Sequence, residues 1–563
     1  MKHLYPSLAA LLLAAGGAAA QAPVTLQTVQ TVSLPARGLL GGTVNLPNHN
    51  TLLLLTDAAT PDVTAQCLAP DGRTLWKTTV SRIQHATESS YFLDTRQIAI
   101  GSQAREDKQR RKDRTAAQLF PVNVFSDGNS VVLAERLDGD AIKGLPKDQA
   151  RLLKEGQTNV QRIDEQGHLT QVLFDPRPAP ESKKTEAIAF GRYADANGYA
   201  EVVRETNKRE ETLVFCTMHY DLKTKAVRRT PLELPATPEH ISGMTRFRYW
   251  YQEWAYLGHR PNQTYFCRRT LVSGPKDKPG KQPITYQVYI VDDQGKQTGG
   301  FSTTLGLNTG TLPVFSGRMP NPGELNHIPN YYTVSAGRNS YVTYDEWNTS
   351  SGGTGSFYLD HATGEVLIYG EYGAGDLPDL TQDELLGFFE RRYTPDGRTV
   401  AQVQGPYSEA MRANKKNASF RGRYTRSTRF HLDPLTGQSQ FSFSPLVIYG
   451  RGEDFDLLMD RDLKPQRYDY LSAKDKDERS YSYVVYAQPF NITSGYGLTD
   501  DIRIYEHAGK GDHPVYTAIE KLRRSTGPDA PNYQFYLSPT GPDSGLIIEQ
   551  KDSPGGTLQV YKF

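Results

Sequence analysis

One unit recurs along this chain: an alternating apolar strand, a turn built on Asp, and a second alternating strand. It runs from Val63 through Asp71-Gly72 to Val80, and from Val160 through Asp164 and Gly167 to Phe174. Phe215 to Val227 repeats it around Asp221 without a glycine, and Tyr286 to Lys296 around Asp292 and Gly295. Two more copies are Phe357 to Tyr369, with Asp360 and Gly364, and Thr428 to Phe443, with Asp433 and Gly437. Weaker copies lie at Val131 to Gly139, Phe455 to Tyr470 and Ile502 to Tyr516. Asp can accept its own downstream backbone amides, and glycine takes the positive φ that closes a short hairpin without steric cost. A single hairpin cannot bury its apolar face, so the copies must pack on one another.

The reading is therefore an all-β, β-propeller-like chain of six to eight blades with a few short helical insertions. A β-sandwich array is the alternative. Gly295, Gly364 and Gly437 recur at about 70 residues, longer than a compact blade, and insertions on one face supply the difference. Val24 to Leu34 and Thr557 to Phe563 are expected to be neighbouring strands that close the ring. Helices are expected at Lys147 to Glu155, at Thr381 to Arg392 behind a Thr381/Glu384 capping box, and at Ser408 to Lys416.

These hairpins resemble the outer hairpins of β-propellers, and the chain is similar in this respect to secreted bacterial β-propeller-like proteins. The Asp71-Gly72-Arg73-Thr74-Leu75-Trp76 copy resembles the repeats of quinoprotein dehydrogenases and related secreted propellers. The likeness covers about a third of the chain. It departs from those enzymes in having no vicinal cysteine pair and no tryptophan recurring from blade to blade. It implies a fold and no site.

Residues 1–20 read as a signal peptide: a basic head at Lys2, the apolar run Leu8 to Ala15, and small residues from Gly16 to Ala20. Cleavage after Ala20 would leave residues 21–563 as the propeller-like domain, periplasmic or released. No later stretch is long and apolar enough for a transmembrane segment. Lys and Arg number 64 against 63 Asp and Glu, so no global field draws in nucleic acid. The basic run Arg105 to Arg114 reads as a solvated segment. Three cysteines, Cys67, Cys216 and Cys267, are too widely spaced for a stapled scaffold, and Cys67 and Cys216 sit inside apolar runs. One disulfide among them stays open.

No Gly-x-Ser-x-Gly elbow, His-Glu-x-x-His helix, Cys-x-x-Cys pair or phosphate-binding loop occurs, so no catalytic residue, metal or cofactor is assigned. Two aromatic clusters stand out as binding surfaces. One runs from Phe247 to Tyr256, with Trp250, Glu253, Trp254 and Tyr256; the other from Tyr341 to Asn348, with Asp345, Glu346 and Trp347. Exposed rings stack on sugar faces or apolar side chains, and neighbouring carboxylates bond hydroxyls. The opposing reading is that strand aromatics fill the core between sheets. The expected function is a non-catalytic exported propeller that binds a peptide, glycan or protein. The alternative is an exported polysaccharide hydrolase or lyase using Asp345, Glu346 or Glu253.

Overall fold

Alternating strands joined by Asp turns fold into antiparallel sheets, and the computed structural model contains seven of them among its described residues. Those residues are 23–35, 38–57, 60, 62–83, 123–137, 139–143, 145–178, 185–207, 212–235, 237–238, 254–270, 285–304, 355–360, 363–373, 385–406, 425–432, 439–446, 454–460, 462–471, 484–487, 514–524, 533–541, 543–551 and 556–563.

Blade 1 is β2 (Gly38–Asn45), β3 (Thr51–Asp57), β4 (Val63–Leu68) and β5 (Thr74–Val80). Blade 2 is β6 (Asn123–Asp127), β7 (Ser130–Arg136), β8 (Thr158–Ile163) and β9 (Leu169–Phe174). Blade 3 is β10 (Thr185–Asp195), β11 (Gly198–Asn207), β12 (Thr212–Asp221) and β13 (Ala226–Pro231), with β14 (Thr237–Pro238) beside β12. Blade 4 is β15 (Trp254–Arg260), β16 (Gln263–Thr270), β17 (Thr285–Val291) and β18 (Gln297–Thr304). Blade 5 is β19 (Gly355–Leu359), β20 (Val366–Gly373), β21 (Leu385–Tyr393) and β22 (Thr399–Pro406). Blade 6 is β23 (Thr425–Leu432), β24 (Ser439–Leu446), β25 (Asp454–Met459) and β26 (Pro465–Leu471). Blade 7 joins β28 (Tyr533–Gly541), β29 (Ser544–Lys551) and β30 (Thr557–Lys562) to β1 (Gln27–Ser33), with β27 (Val484–Ala487) parallel to β28.

Neighbouring blades meet through their first strands: β6 beside β10, β10 beside β15, β15 beside β19, and β28 beside β2. The termini close the ring as expected, with Gln27 opposite Lys562 and Ser33 opposite Thr557. The fold is thus all-β and propeller-like, within the expected blade number.

Four of the six hairpins seen in the sequence join the third and fourth strands of blades 1 to 4; the other two join the first and second strands of blades 5 and 6. In blade 2, Asp164 accepts the amides of Gln166 and His168, and in blade 4 Asp292 accepts those of Gln294 and Lys296. Three of the turn glycines, Gly72, Gly167 and Gly295, serve a second purpose, because each sits against the outer strand of the blade before it. A Cβ on Gly167 (φ +85°) would lie 2.8 Å from the Trp76 ring, and one on Gly295 (φ +82°) 2.0 Å from the Pro231 carbonyl. Trp76 seals that contact by donating its indole N–H to Glu165 O at 2.8 Å.

The helices differ from expectation. α1 (Gly139–Lys143) and α2 (Lys147–Ala150) are single turns within the connection from β7 to β8, so the helix expected to reach Glu155 stops early. The third expected helix, Ser408 to Lys416, and the signal peptide lie outside the described residues. Thr381 to Arg392 is the clear correction: Leu385 to Tyr393 is a strand, paired with both β20 and β22. Gly387 weakens a helix, Phe388 and Phe389 suit a strand, and two hydrogen-bonding neighbours outweigh the local capping box. One longer helix, α3 (Pro514–Arg524), packs Val515 and Ile519 against Leu537 and Ile547 of blade 7. No helix among the described residues is long and apolar enough to cross a membrane.

Candidate functional site

The three cysteines fall in three different blades and are free and buried. Burial alone pushes the Cys67 thiol up to about 12. For Cys216 burial is again the largest cause, with Glu205 next, and the value is also about 12. These thiols are core groups and poor nucleophiles.

Of the residues singled out for binding, Trp254 and Tyr256 are placed by β15, and both are buried in the seam between blades 3 and 4. Trp254 is 1% exposed, with ring centroids of Phe215 and Tyr289 at 5.3 and 5.2 Å and the Arg268 guanidinium 5.6 Å from its own. Tyr256 lies over Gly191, where an added Cβ would come within 2.6 Å of its ring. Its hydroxyl donates to Arg192 O at 3.3 Å. Neither ring presents a face to a ligand, because alternation turns both toward blade 3. Trp250, Glu253, Asp345, Glu346 and Trp347 lie outside the described residues.

The same seam holds a polar cluster that the sequence did not reveal. Register puts Tyr193, Ala200 and His219 in one row across β10, β11 and β12, and Asp195 follows two residues on from Tyr193. His219 Nε2 donates to Asp195 Oδ2, while Asp195 Oδ1 accepts the amides of Asn197 and Gly198 at 2.8 and 3.0 Å. Burial pushes the Asp195 carboxyl upward, but the His219 bond and charge and the two amides outweigh it, so it is held below its ordinary value. From blade 4, the His259 ring stacks on Tyr193 with centroids 3.8 Å apart, and its Nε2 lies 3.3 Å from Asp293 Oδ1. Burial, then Asp293 and Asp195, push the Tyr193 hydroxyl well up; Thr217 and Thr264, which bond it, pull the other way.

Two Asp–His pairs and a tyrosine thus converge where two blades meet. Tyr193, Asp195 and His219 are buried, and Asp293 is the most open member, its side chain 29% exposed. The groups spend their hydrogen bonds on one another. Each Asp–His bond braces its own blade, and the Tyr193–His259 stack joins the two blades across the seam.

Other buried carboxylates are used in the same way. Glu135 of β7 accepts the Ile83 amide and Asn159 Nδ2 at 2.8 and 2.7 Å, with Arg82 at 3.6 Å. Glu201 of β11 receives Arg177 at 3.5 Å and Arg192 at 3.8 Å, with the Tyr199 hydroxyl at 3.2 Å. Arg82 and Arg177 each follow the outer strand of one blade and reach a glutamate on the second strand of the next. Among the described residues no group of three His, Cys, Asp or Glu is placed to hold a metal ion.

The two ends of the ring differ. Within each blade, the turns between first and second strands and between third and fourth strands share one end. They are short: residues 196–197 and 222–225 in blade 3, 261–262 and 292–296 in blade 4. The opposite end is where second strands stop, third strands start, and the chain passes from blade to blade. There β5 and β6 are separated by residues 81–122, β14 and β15 by 239–253, and β18 and β19 by 305–354. The basic run, the second aromatic cluster and residues 247–253 of the first belong to these stretches.

No family model matches the chain, and no curated relative does. Similar solved structures include an α-L-arabinanase of Penicillium chrysogenum complexed with arabinobiose, at 11% identity over 78% of this chain and 99% of that one, TM-score 0.27. A protein of unknown function from Dyadobacter fermentans is 10% identical over 77% and 98%, TM-score 0.26. A sucrose-6-phosphate hydrolase of Lactobacillus gasseri is 12% identical over 79% and 88%, TM-score 0.22. Likeness at these scores assigns no activity to this chain.

Proposed function

We propose that this chain is an exported binding propeller that meets a peptide, glycan or protein at the end opposite its short turns. The observation that carries the reading is the division of labour between the ends. Short Asp turns brace one end, and at the other the strand ends bracket the long stretches that contain Trp250, Asp345 and Trp347. Loops held on a rigid sheet scaffold are where binding residues concentrate. The buried carboxylates of blades 2 and 3 support it too, since Glu135, Glu201 and Asp195 are committed to internal partners. Export rests on residues 1–20, with β1 beginning a few residues beyond the expected cut.

Glycan and peptide arrays probed with the purified protein test this reading. One ligand class is expected to bind above background, with Trp250→Ala or Trp347→Ala weakening it at least about tenfold without lowering Tm. Trp254→Ala should lower Tm instead, since that ring is core. Arrays with no ligand above background would sink the proposal.

A further inference from the structure

Among the described residues each sheet ends in an outer strand paired on one side only, and such edges are normally defended by charge, proline, glycine or a bulge. The described outer strands show these defences one by one. β5 carries Lys77, β13 carries Arg228 and Arg229, and β18 has Gly299 and Gly300. β26 contains Arg467 and Asp469, β22 starts at a register shift and ends in Gly405-Pro406, and β1 is bulged between Thr28 and Gln30. β9 has none of them. Its sequence, Leu169-Thr170-Gln171-Val172-Leu173-Phe174, holds no charge, glycine or proline, and it pairs with β8 without a register shift.

The strand is also accessible and self-complementary. Leu169 and Leu173 are 38% and 37% exposed, and Thr170 and Gln171 are exposed as well. Read antiparallel against itself about Gln171, the segment sets Leu169 opposite Leu173, Thr170 opposite Val172, and Gln171 opposite its own copy. Directly opposed residues share a sheet face, so the leucines of two copies would form one apolar stripe. Pro176 and Pro178 limit the pairing to this segment.

We propose that β9 is a self-association edge, through which two copies of this chain pair antiparallel about a two-fold axis at Gln171. A single short strand pair buries less than the roughly 1,200 Å² of a standard stable interface, so the dimer is weak and concentration-dependent.

Sedimentation velocity over about 1–200 μM is the test, a range suited to interfaces below standard size. A reversible monomer–dimer equilibrium is expected for the protein. Thr170→Lys and Leu173→Lys should abolish it, because each adds a cation to the paired edge, while Val400→Lys on β22 should leave it unchanged. Thermal melting of each variant checks that the exposed lysine has not unfolded the blade. In parallel, Gln171→Cys should give a disulfide-linked dimer under mild oxidation, since the axis sets this residue against itself and the native cysteines are buried. A protein that stays monomeric throughout with no Gln171→Cys cross-link would overturn the proposal. So would association that Thr170→Lys leaves untouched.

Discussion

Blade 4 is packed differently on its two faces. Toward blade 3 it offers Trp254, Tyr256 and Phe266 to Tyr193, Val202 and Phe215, and at the turn end this seam carries the Asp195–His219 and Asp293–His259 pairs. Toward blade 5 it offers Leu257, Val288 and Ile290 to Leu359, Val366, Ile368 and Phe389. Apolar contact is non-directional, so the second seam gains mainly from volume and area, with the Thr303 hydroxyl donating to the Tyr393 hydroxyl at 3.1 Å across it. Each Asp–His bond lies within its own blade, and the His259 ring stacked on Tyr193 is the contact satisfied in one alignment of β10 against β15. Adhesion and alignment are therefore carried by different residues, and blade 4 uses one face more for each.

The largest expected effect lies in the apolar seam. Phe389 is fully buried, and Phe389→Ala should cost about 3–5 kcal/mol, read as a lower urea midpoint at unchanged slope. A cost under about 1 kcal/mol would mean that the seam is loosely packed, and the contrast between the faces would fail.

Both seams also hold a turn glycine pressed on the preceding blade, which gives an internal comparison. A Cβ on Gly295 meets the Pro231 carbonyl at 2.0 Å, and one on Gly397 meets Phe301 Cβ at 2.5 Å, both at positive φ. Each alanine variant should destabilise by about 1–3 kcal/mol, as overpacking does, with Gly295→Ala the worse. Both obstacles are fixed by the backbone, a carbonyl in one case and a Cβ in the other, so the shorter approach at Gly295, 2.0 Å against 2.5 Å, sets that order. Equal melting temperatures for the two variants would remove that distinction.

These turns were the legible part of the molecule. Asp71-Gly72, Asp164 with Gly167, and Asp292 with Gly295 announce short hairpins in their own few residues, and the closing strands at the two termini follow from the same alternation. Leu385 to Tyr393 misled because a capping box is local, whereas its two strand partners are found only after folding. The Asp–His cluster was illegible for a related reason. Asp195 and His219 meet only once three strands have taken their register, and His259 reaches Tyr193 only when two blades dock. Trp254 and Tyr256 were conspicuous by residue type, yet nothing in the alternation of β15 says which of its faces is covered.

A smaller loss is expected in the polar seam. His219→Ala removes the side-chain partner of Asp195 but leaves the amides of Asn197 and Gly198, so the carboxylate stays partly satisfied. The cost should be about 1–2 kcal/mol at pH 7, measured by urea unfolding. A neutral outcome would show that the amides alone hold Asp195, and that the histidine adds nothing to the row across blade 3.

The smallest effect separates the two seams most cleanly, because it depends on pH. Asp195 is held below its ordinary value in the folded chain, so its contribution is present above the unfolded value of about 3.9 and fades as pH falls through the folded one. The deficit of Asp195→Asn relative to the parent protein should therefore shrink as pH drops below about 4, and the deficit of His219→Ala should shrink with it. Phe389→Ala touches no titrating group, so its deficit should stay constant over the same range. Urea midpoints of the three variants at pH 7 and pH 3.5 settle the matter. If the Asp195→Asn deficit persists at acid pH, the carboxylate is not held by charge, and the Asp195–His219 pair is a packing contact like those across the seam to blade 5.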